Sequence, residues 1–232
     1  MIEQKSHPTG PVPAPRPVRA VARCAVVALA LAALTWVARA VWHLRLATAG
    51  MPASGPPDQG GGEHRPLNAL EDSYHLVDSV GGAVTAVCAI AFLFWLDRMR
   101  DNARALSGAE PRYAYLWLWL GWVVPVVNLW IPRGLVADVH RSVFPERPLP
   151  AVVNWWWGLW LAGLAGGVGL IYADDTDEVI ARAYDGVLPL LAADLVVVAA
   201  AGAAALMIHT LTTAQQRRLD ELAEAAQATQ AA

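Results

Sequence analysis

Lysine is almost missing from this chain of 232 residues: Lys5 is the only one. Charge of either sign is scarce too, at 16% of residues against roughly 25% in a soluble domain. That shortage excludes the basic field with which a nucleic-acid binder meets phosphates, and the net charge of -3 points to no charged partner. There are two cysteines, Cys24 and Cys88, both inside apolar stretches. Two separate thiols of this kind support neither a disulfide framework nor a zinc site, and read as small side chains in packed helices. No Ser/His/Asp pattern, no H-E-x-x-H and no P-loop spacing occurs, so neither an enzyme nor a cofactor or metal is expected.

What the chain has is apolar length. Apolar residues make up 56% of it, and the mean hydropathy is 0.37. A helix needs about 20 apolar residues to cross roughly 30 Å of hydrocarbon. Four stretches meet that length: 24–46, 77–96, 151–172 and 187–211. A fifth, 113–132, reads YAYLWLWLGWVVPVVNLWIP and is interrupted by Gly121, Pro125, Asn128 and Pro132. The fold class expected is an all-α polytopic transmembrane bundle. It has four spans, a Pro-broken segment that is re-entrant or a fifth crossing, and a short interfacial helix at 133–143. In that helix Leu135, Val136, Val139 and Val143 share one face, while Arg133, Asp138 and Arg141 share the other.

The transmembrane domain, 19–211, is flanked by two polar segments. Residues 1–18 carry Pro8, Pro11, Pro13, Pro15 and Pro17 and read as a disordered cytoplasmic tail. Residues 212–232 read as a polar helical tail. The Gly/Pro-rich stretch 49–66 is a flexible loop, and the acidic stretch 173–185 is read as a loop as well. The first apolar run is too long for a signal peptide and is taken as a retained helix. Trp155, Trp156, Trp157 and Trp160 are expected to form an aromatic anchor at the membrane surface.

Arginine placement argues for topology, because cytoplasmic loops collect basic residues. With four spans and a re-entrant broken segment, 13 Lys and Arg residues fall inside and 3 outside. With five spans the tally is 9 against 7. The four-span reading is preferred, with a cytoplasmic N-terminus in a bacterial plasma membrane. The near-replacement of Lys by Arg, together with abundant Ala, Gly and Pro, fits a GC-rich bacterial genome.

Charges within spans are costly and ask for partners. The candidates are Arg39, Asp78 and Asp194. In the four-span reading they meet in the outer half of the membrane, where Arg39 pairs with Asp194 or with Asp78; the pairing either fixes helix packing or serves a proton or ion relay. Asn128 and Asn154 are expected to bond freed backbone carbonyls. His43, His64, His75, His140 and His209 match no metal spacing and read as surface or interface residues. Gly163 and Gly167 sit on a small-residue face that packs on the last span or, alternatively, forms a homodimer contact.

Three blocks resemble a known family: FLFWLDRMRDNARAL at 92–106, YLWLWLGWVVPVVNLWIPRGLVADVHRSV at 115–143, and PLPAVVNWWWGLWLAG at 148–163. They are similar to the uncharacterised bacterial membrane family called domain of unknown function 4328, frequent in actinobacteria. The resemblance runs over about 77–211, and its most specific element is W-x-x-P-x-x-N-L-W-x-P at 122–132. It implies a multi-span membrane protein and brings no activity, cofactor or catalytic residue. The function expected is that of a structural or interaction protein of the membrane, with the lipid bilayer as a partner. The alternative is a small transporter or channel subunit that uses 121–132 and the Arg/Asp pair; it requires a polar path from Asn128 to Asp194.

Overall fold

The apolar runs fold as helices whose ends are set by local chemistry. The computed structural model describes residues 15–59, 63–124, 126–165 and 175–231. Helix α1 spans Arg19–Ala49, and α2 spans Ala69–Ser107. The start of α2 is a complete capping box: Asn68 accepts from the backbone of Leu70 and Glu71, and the Glu71 side chain accepts from the backbone of Asn68. Its end is Gly108, held at φ 66, a left-handed conformation that a residue with a Cβ adopts at a cost. A short α3 (Leu116–Leu120), a 3-10 turn (Val127–Leu129) and α4 (Ile131–Val143) follow. Then come α5 (Ala151–Ala165), α6 (Thr176–Asp185) and α7 (Val187–Ala231).

Three of these helices, α1, α2 and α7, are long and apolar enough to cross a membrane, with mean hydropathy of 2.1, 2.0 and 2.3 in their most apolar stretches. The span expected at 151–172 is described as helix only over Ala151–Ala165; its remainder lies outside the described residues. The long helices are inside-out by the standard of a soluble protein. Val27, Leu31, Leu34, Val37 and Val41 on α1 recur every three to four residues on an exposed face, and Leu188, Leu195 and Leu206 stand exposed at whole-turn spacings on α7. The buried faces carry small residues instead: Ala22, Ala25 and Ala32 on α1, Ala200 and Ala204 on α7. Large apolar groups outside and close-packed alanines inside suit a hydrocarbon surrounding.

Side-chain pairs fix the helix directions. His43 meets Tyr74, Trp42 meets Ser73, and Arg39 meets Asp78, so α1 and α2 run antiparallel in register. Arg39–Asp194 near one end and Arg19–Asp220 near the other make α1 and α7 antiparallel. Trp95–Thr212 and Met99–Gln215 make α2 and α7 parallel. Helix α5 packs on α7, with Gly163 facing Val197.

The broken stretch folds back on itself. The Tyr113 ring lies against Gly134, and the Arg112 backbone N–H donates to Asp138 at 3.0 Å, so its two ends meet. Between them the helix unwinds. Gly121 packs against Ile131, where an added Cβ would stand 2.5 Å from that side chain and 2.6 Å from the Trp117 carbonyl. Val126 is held at φ 67, a strained value for a β-branched residue. Pro132 falls in the first turn of α4, where its missing N–H costs nothing. Pro125 lies outside the described residues.

Several expectations need correction. The acidic stretch at 173–185 holds helix α6 from Thr176 onward. Asp175 caps it through the Asp177 N–H, and Val179, Ile180 and Ala183 form a buried stripe. Trp156 and Trp157 are core residues, not surface anchors, because Phe92 and Trp122 of other elements stack around Trp156; Trp155 alone is strongly exposed. Cys24 is exposed, pointing outward from α1, while Cys88 is buried. The end of the Pro-rich tail is fastened: Asn102 exchanges two hydrogen bonds with the Arg16 backbone, and Val18 is buried.

Candidate functional site

Two apolar clusters occupy the two ends of the bundle. The larger joins α1, α2, α4, α5 and α7 around Trp95, Met99, Val136 and Ile208. The smaller, around Leu46, Tyr74 and Ile180, joins the end of α1 to the start of α2, α6 and α7. Beside this smaller cluster lies a chain of polar groups.

Arg39 is its centre. Its Nε and Nη2 approach Asp194 Oδ1 at 3.0 and 2.9 Å, and its Nη1 lies 3.4 Å from Asp78 Oδ1. The guanidinium also rests 4.0 Å over the Trp36 ring. The other Asp194 oxygen meets His43 Nδ1 at 2.8 Å, and His43 Nε2 meets the Tyr74 hydroxyl at 2.8 Å. Asp194, His43 and Tyr74 are fully buried. Thr176 donates to the second Asp78 oxygen at 3.1 Å, which ties in α6. The geometry follows from spacing. Arg39 and His43 are four residues apart on α1, as are Tyr74 and Asp78 on α2, so each pair shares a helix face.

The structure thus brings Arg39, Asp78 and Asp194 together and adds His43 and Tyr74. His43 is a core residue and not a surface one, because Asp194 and Tyr74 enclose it. The signal for it was the four-residue spacing from Arg39. An ionised Asp194 only accepts, so His43 Nδ1 carries a hydrogen and donates; in a neutral ring Nε2 then accepts from the Tyr74 hydroxyl. Arg39 thus bridges the two carboxylates of Asp78 and Asp194.

A second buried carboxylate lies one helical turn before Tyr74. Glu71 is fully buried and accepts from both terminal nitrogens of Arg65, at 2.8 and 2.6 Å, and from the Tyr184 hydroxyl at 2.7 Å. The bond to Glu71 holds the Arg65 guanidinium above its ordinary pKa. Burial, then the bond to Glu71, pushes the Tyr184 phenol up to about 12. Nearby, Asp177 of α6 meets His75 at 2.7 Å and the exposed His64 at 3.9 Å. His75 and His43 thus face different carboxylates. Among the described residues no group of three His, Cys, Asp or Glu is arranged to hold a metal.

The broken-segment residues lie elsewhere. The side-chain oxygen of Asn128 is buried without a hydrogen-bond partner, which differs from the backbone-bonding role expected of it. Asn154 accepts from Arg133 at 3.0 and 2.6 Å. Asn128 borders a cavity of about 270 Å³ between α1, α2, α5, α7 and the broken stretch. Its lining is almost wholly apolar and includes none of Arg39, Asp78 and Asp194. Gly163 is buried against α7, and Gly167 lies outside the described residues.

Residues 67–213 match the family described as Domain of unknown function (DUF4328), and the chain belongs to that family. No curated protein and no solved structure matches the chain. The match begins just before α2, so Arg39 and His43 reach the site from a helix outside the matched region.

Proposed function

We propose that this chain is a multi-pass protein of the bacterial plasma membrane that acts as a structural or interaction partner and not as an enzyme. In this reading α1, α2, α5 and α7 cross the bilayer, the N-terminus is cytoplasmic, and 113–132 enters from the cytoplasmic side and returns. The observation that carries it is the direction of the helices around Arg39. A five-crossing path would need α7 parallel to α1, whereas Arg39–Asp194 and Arg19–Asp220 pair them antiparallel. The contact between Tyr113 and Gly134 supports the re-entrant path, since it leaves both ends of the broken stretch on one side. A structural role is supported by how the costly charges are used. Arg39 spends its donors on two other helices, and Asp194 and His43 are sealed from any opening. The cavity beside Asn128 does not reach Asp194, so the polar path that transport requires has no support in its lining.

Thiol labelling tests the topology. With Cys24 and Cys88 replaced, Glu146→Cys and Asp185→Cys are introduced at exposed positions. An impermeant maleimide applied to intact cells should label position 185 and spare 146 until the cells are opened. Labelling of 146 from outside would refute the four-span path.

A further inference from the structure

We infer that Arg133 and Asn154, flanked by the exposed indoles of Trp130 and Trp155, form a binding site for the phosphate of an anionic phospholipid. This rests on the chain being a multi-pass membrane protein. Arg133 stands in the first turn of α4 and Asn154 in the first turn of α5. Nε and Nη2 of Arg133 donate to the Asn154 side-chain oxygen at 3.0 and 2.6 Å. A guanidinium has donors only, so this contact fixes the amide with its oxygen on the arginine. The amide nitrogen and Nη1 of Arg133 then carry hydrogens with no acceptor among the described residues. Asn154 is exposed and Arg133 partly so, which leaves these donors open to the surroundings. Arg39, Arg65, Arg104 and Arg218 each meet a carboxylate. Arg133 meets none among the described residues, and the acid that follows it on α4, Asp138, takes the Arg112 N–H. Arg133 is a cation bonded only to a neutral amide.

Depth and flanks name the ligand. Trp156, two residues after Asn154, stacks with Phe92 at 5.8 Å. Phe92 lies four residues from the end of the apolar run 77–96, about 6 Å along a helix. Asn154 precedes Trp156 on the way into the bundle, so the pair sits where hydrocarbon gives way to headgroups. Trp130, three residues before Arg133, is 52% exposed, and Trp155, next to Asn154, is 70% exposed. Large rings left outside the bundle at this depth settle between headgroups and acyl chains. They would flank a lipid whose phosphate reaches Arg133, whereas a free phosphate ion gains nothing from them. The guanidinium fork matches phosphate oxygens, and the amide nitrogen adds a neutral donor beside it. A zwitterionic lipid would bring a cation as well, and the site holds no carboxylate to receive it. The donor set therefore favours an anionic headgroup.

The test is native mass spectrometry of the full chain in detergent, titrated with dioctanoyl phosphatidylglycerol or dioctanoyl phosphatidylethanolamine. One phosphatidylglycerol adduct, about tenfold tighter than the ethanolamine lipid, is expected. Arg133→Gln should abolish that preference while leaving weak adducts of both lipids, and Asn154→Leu should reduce it. Arg133→Lys keeps the charge but not the fork and should retain part of the preference, which covers the case of a Gln variant that does not fold. Trp155→Ala should weaken both lipids alike. Arg218→Gln, on the exposed tail of α7, should change neither. Glycerol phosphate, which has the phosphate without the chains, should fail to displace the lipid at equal concentration. Adducts without a headgroup preference, a preference unchanged in Arg133→Gln, or displacement by glycerol phosphate would each overturn the assignment. Absence of adducts with either lipid would overturn the membrane reading along with it, and the thiol-labelling pattern separates the two failures.

Discussion

Replacing Arg39 by Met should destabilise the bundle far more than its single exposed edge suggests, and removing Asp194 as well should restore much of the loss. At 2.9 Å the Arg39–Asp194 attraction is about 6 kcal/mol at an effective dielectric near 20. Much of that repays desolvation, so the pair itself contributes little net stability. Breaking it is another matter. Arg39→Met leaves Asp194 fully buried, with His43 as its one remaining donor, and such a loss costs about 3–5 kcal/mol. Asp194→Leu alone should cost less, about 1–3 kcal/mol, because Arg39 keeps Asp78 at 3.4 Å and His43 loses a single bond. The double variant should therefore fall at least about 2 kcal/mol short of the sum. The assay is equilibrium unfolding of the purified chain in mixed micelles, followed by tryptophan fluorescence. Additivity within about 0.5 kcal/mol would refute the coupling and leave the two charges as neighbours without consequence.

The same assay checks three further expectations. His43→Phe strands the Asp194 oxygen and the Tyr74 hydroxyl together and should cost about 2–5 kcal/mol, whereas Tyr74→Phe removes one donor and should cost about 1. Gly121→Ala drives a Cβ into Ile131 and the Trp117 carbonyl and should cost about 1–3 kcal/mol; Gly82→Ala, with nothing within 4 Å, should be neutral or mildly stabilising. His140 is buried on α4, and burial, then Arg141 and Arg147, hold its pKa below the ordinary value. A base with a lowered folded pKa is neutral in both states at high pH. As pH falls through its unfolded value near 6.5, the unfolded chain takes the proton first, so folding weakens toward acid. His140→Phe should lose that part of the acid sensitivity, seen as a smaller drop in melting temperature between pH 7.5 and 5.5 than in the parent chain. An equal drop in both would count against a buried His140.

How much of this was legible beforehand depended on the kind of signal. Apolar length is a local signal, and it marks the membrane-length part of α2 with nothing else known. Arg39, Asp78 and Asp194 stood out because charge within an apolar run is rare and costly, and the structure gathers them at one level. His43 and Tyr74 did not stand out, because neither is unusual in a helix; only antiparallel register with α2 makes them partners. Glu71 did not stand out either, because its partners Arg65 and Tyr184 come from a loop and from α6, and only the fold brings them to it. Helix α6 was hidden by its acidic surface, since the buried stripe of Val179, Ile180 and Ala183 is short beside the acidic run that precedes it. The tryptophans misled for the opposite reason. Indoles are common at membrane surfaces, and composition cannot tell a ring that faces headgroups from one that faces Phe92.

The boundary of the family match bears on what α1 is for. Asp78, Tyr74 and Asp194 lie within 67–213, and Arg39 and His43 do not. Within the matched region alone, Asp194 would be a buried carboxylate with no cation, and Tyr74 a buried hydroxyl with no acceptor on its own helix. Neither state is tolerable in hydrocarbon. Helix α1 supplies both missing partners from one face, at positions four residues apart, and its small residues Ala25 and Ala32 let it approach closely enough to do so. It also carries Trp36 into the wall of the cavity. The first helix is therefore a working part of the bundle and not an appended anchor: the charge balance of the matched region and the closure of its cavity both depend on it.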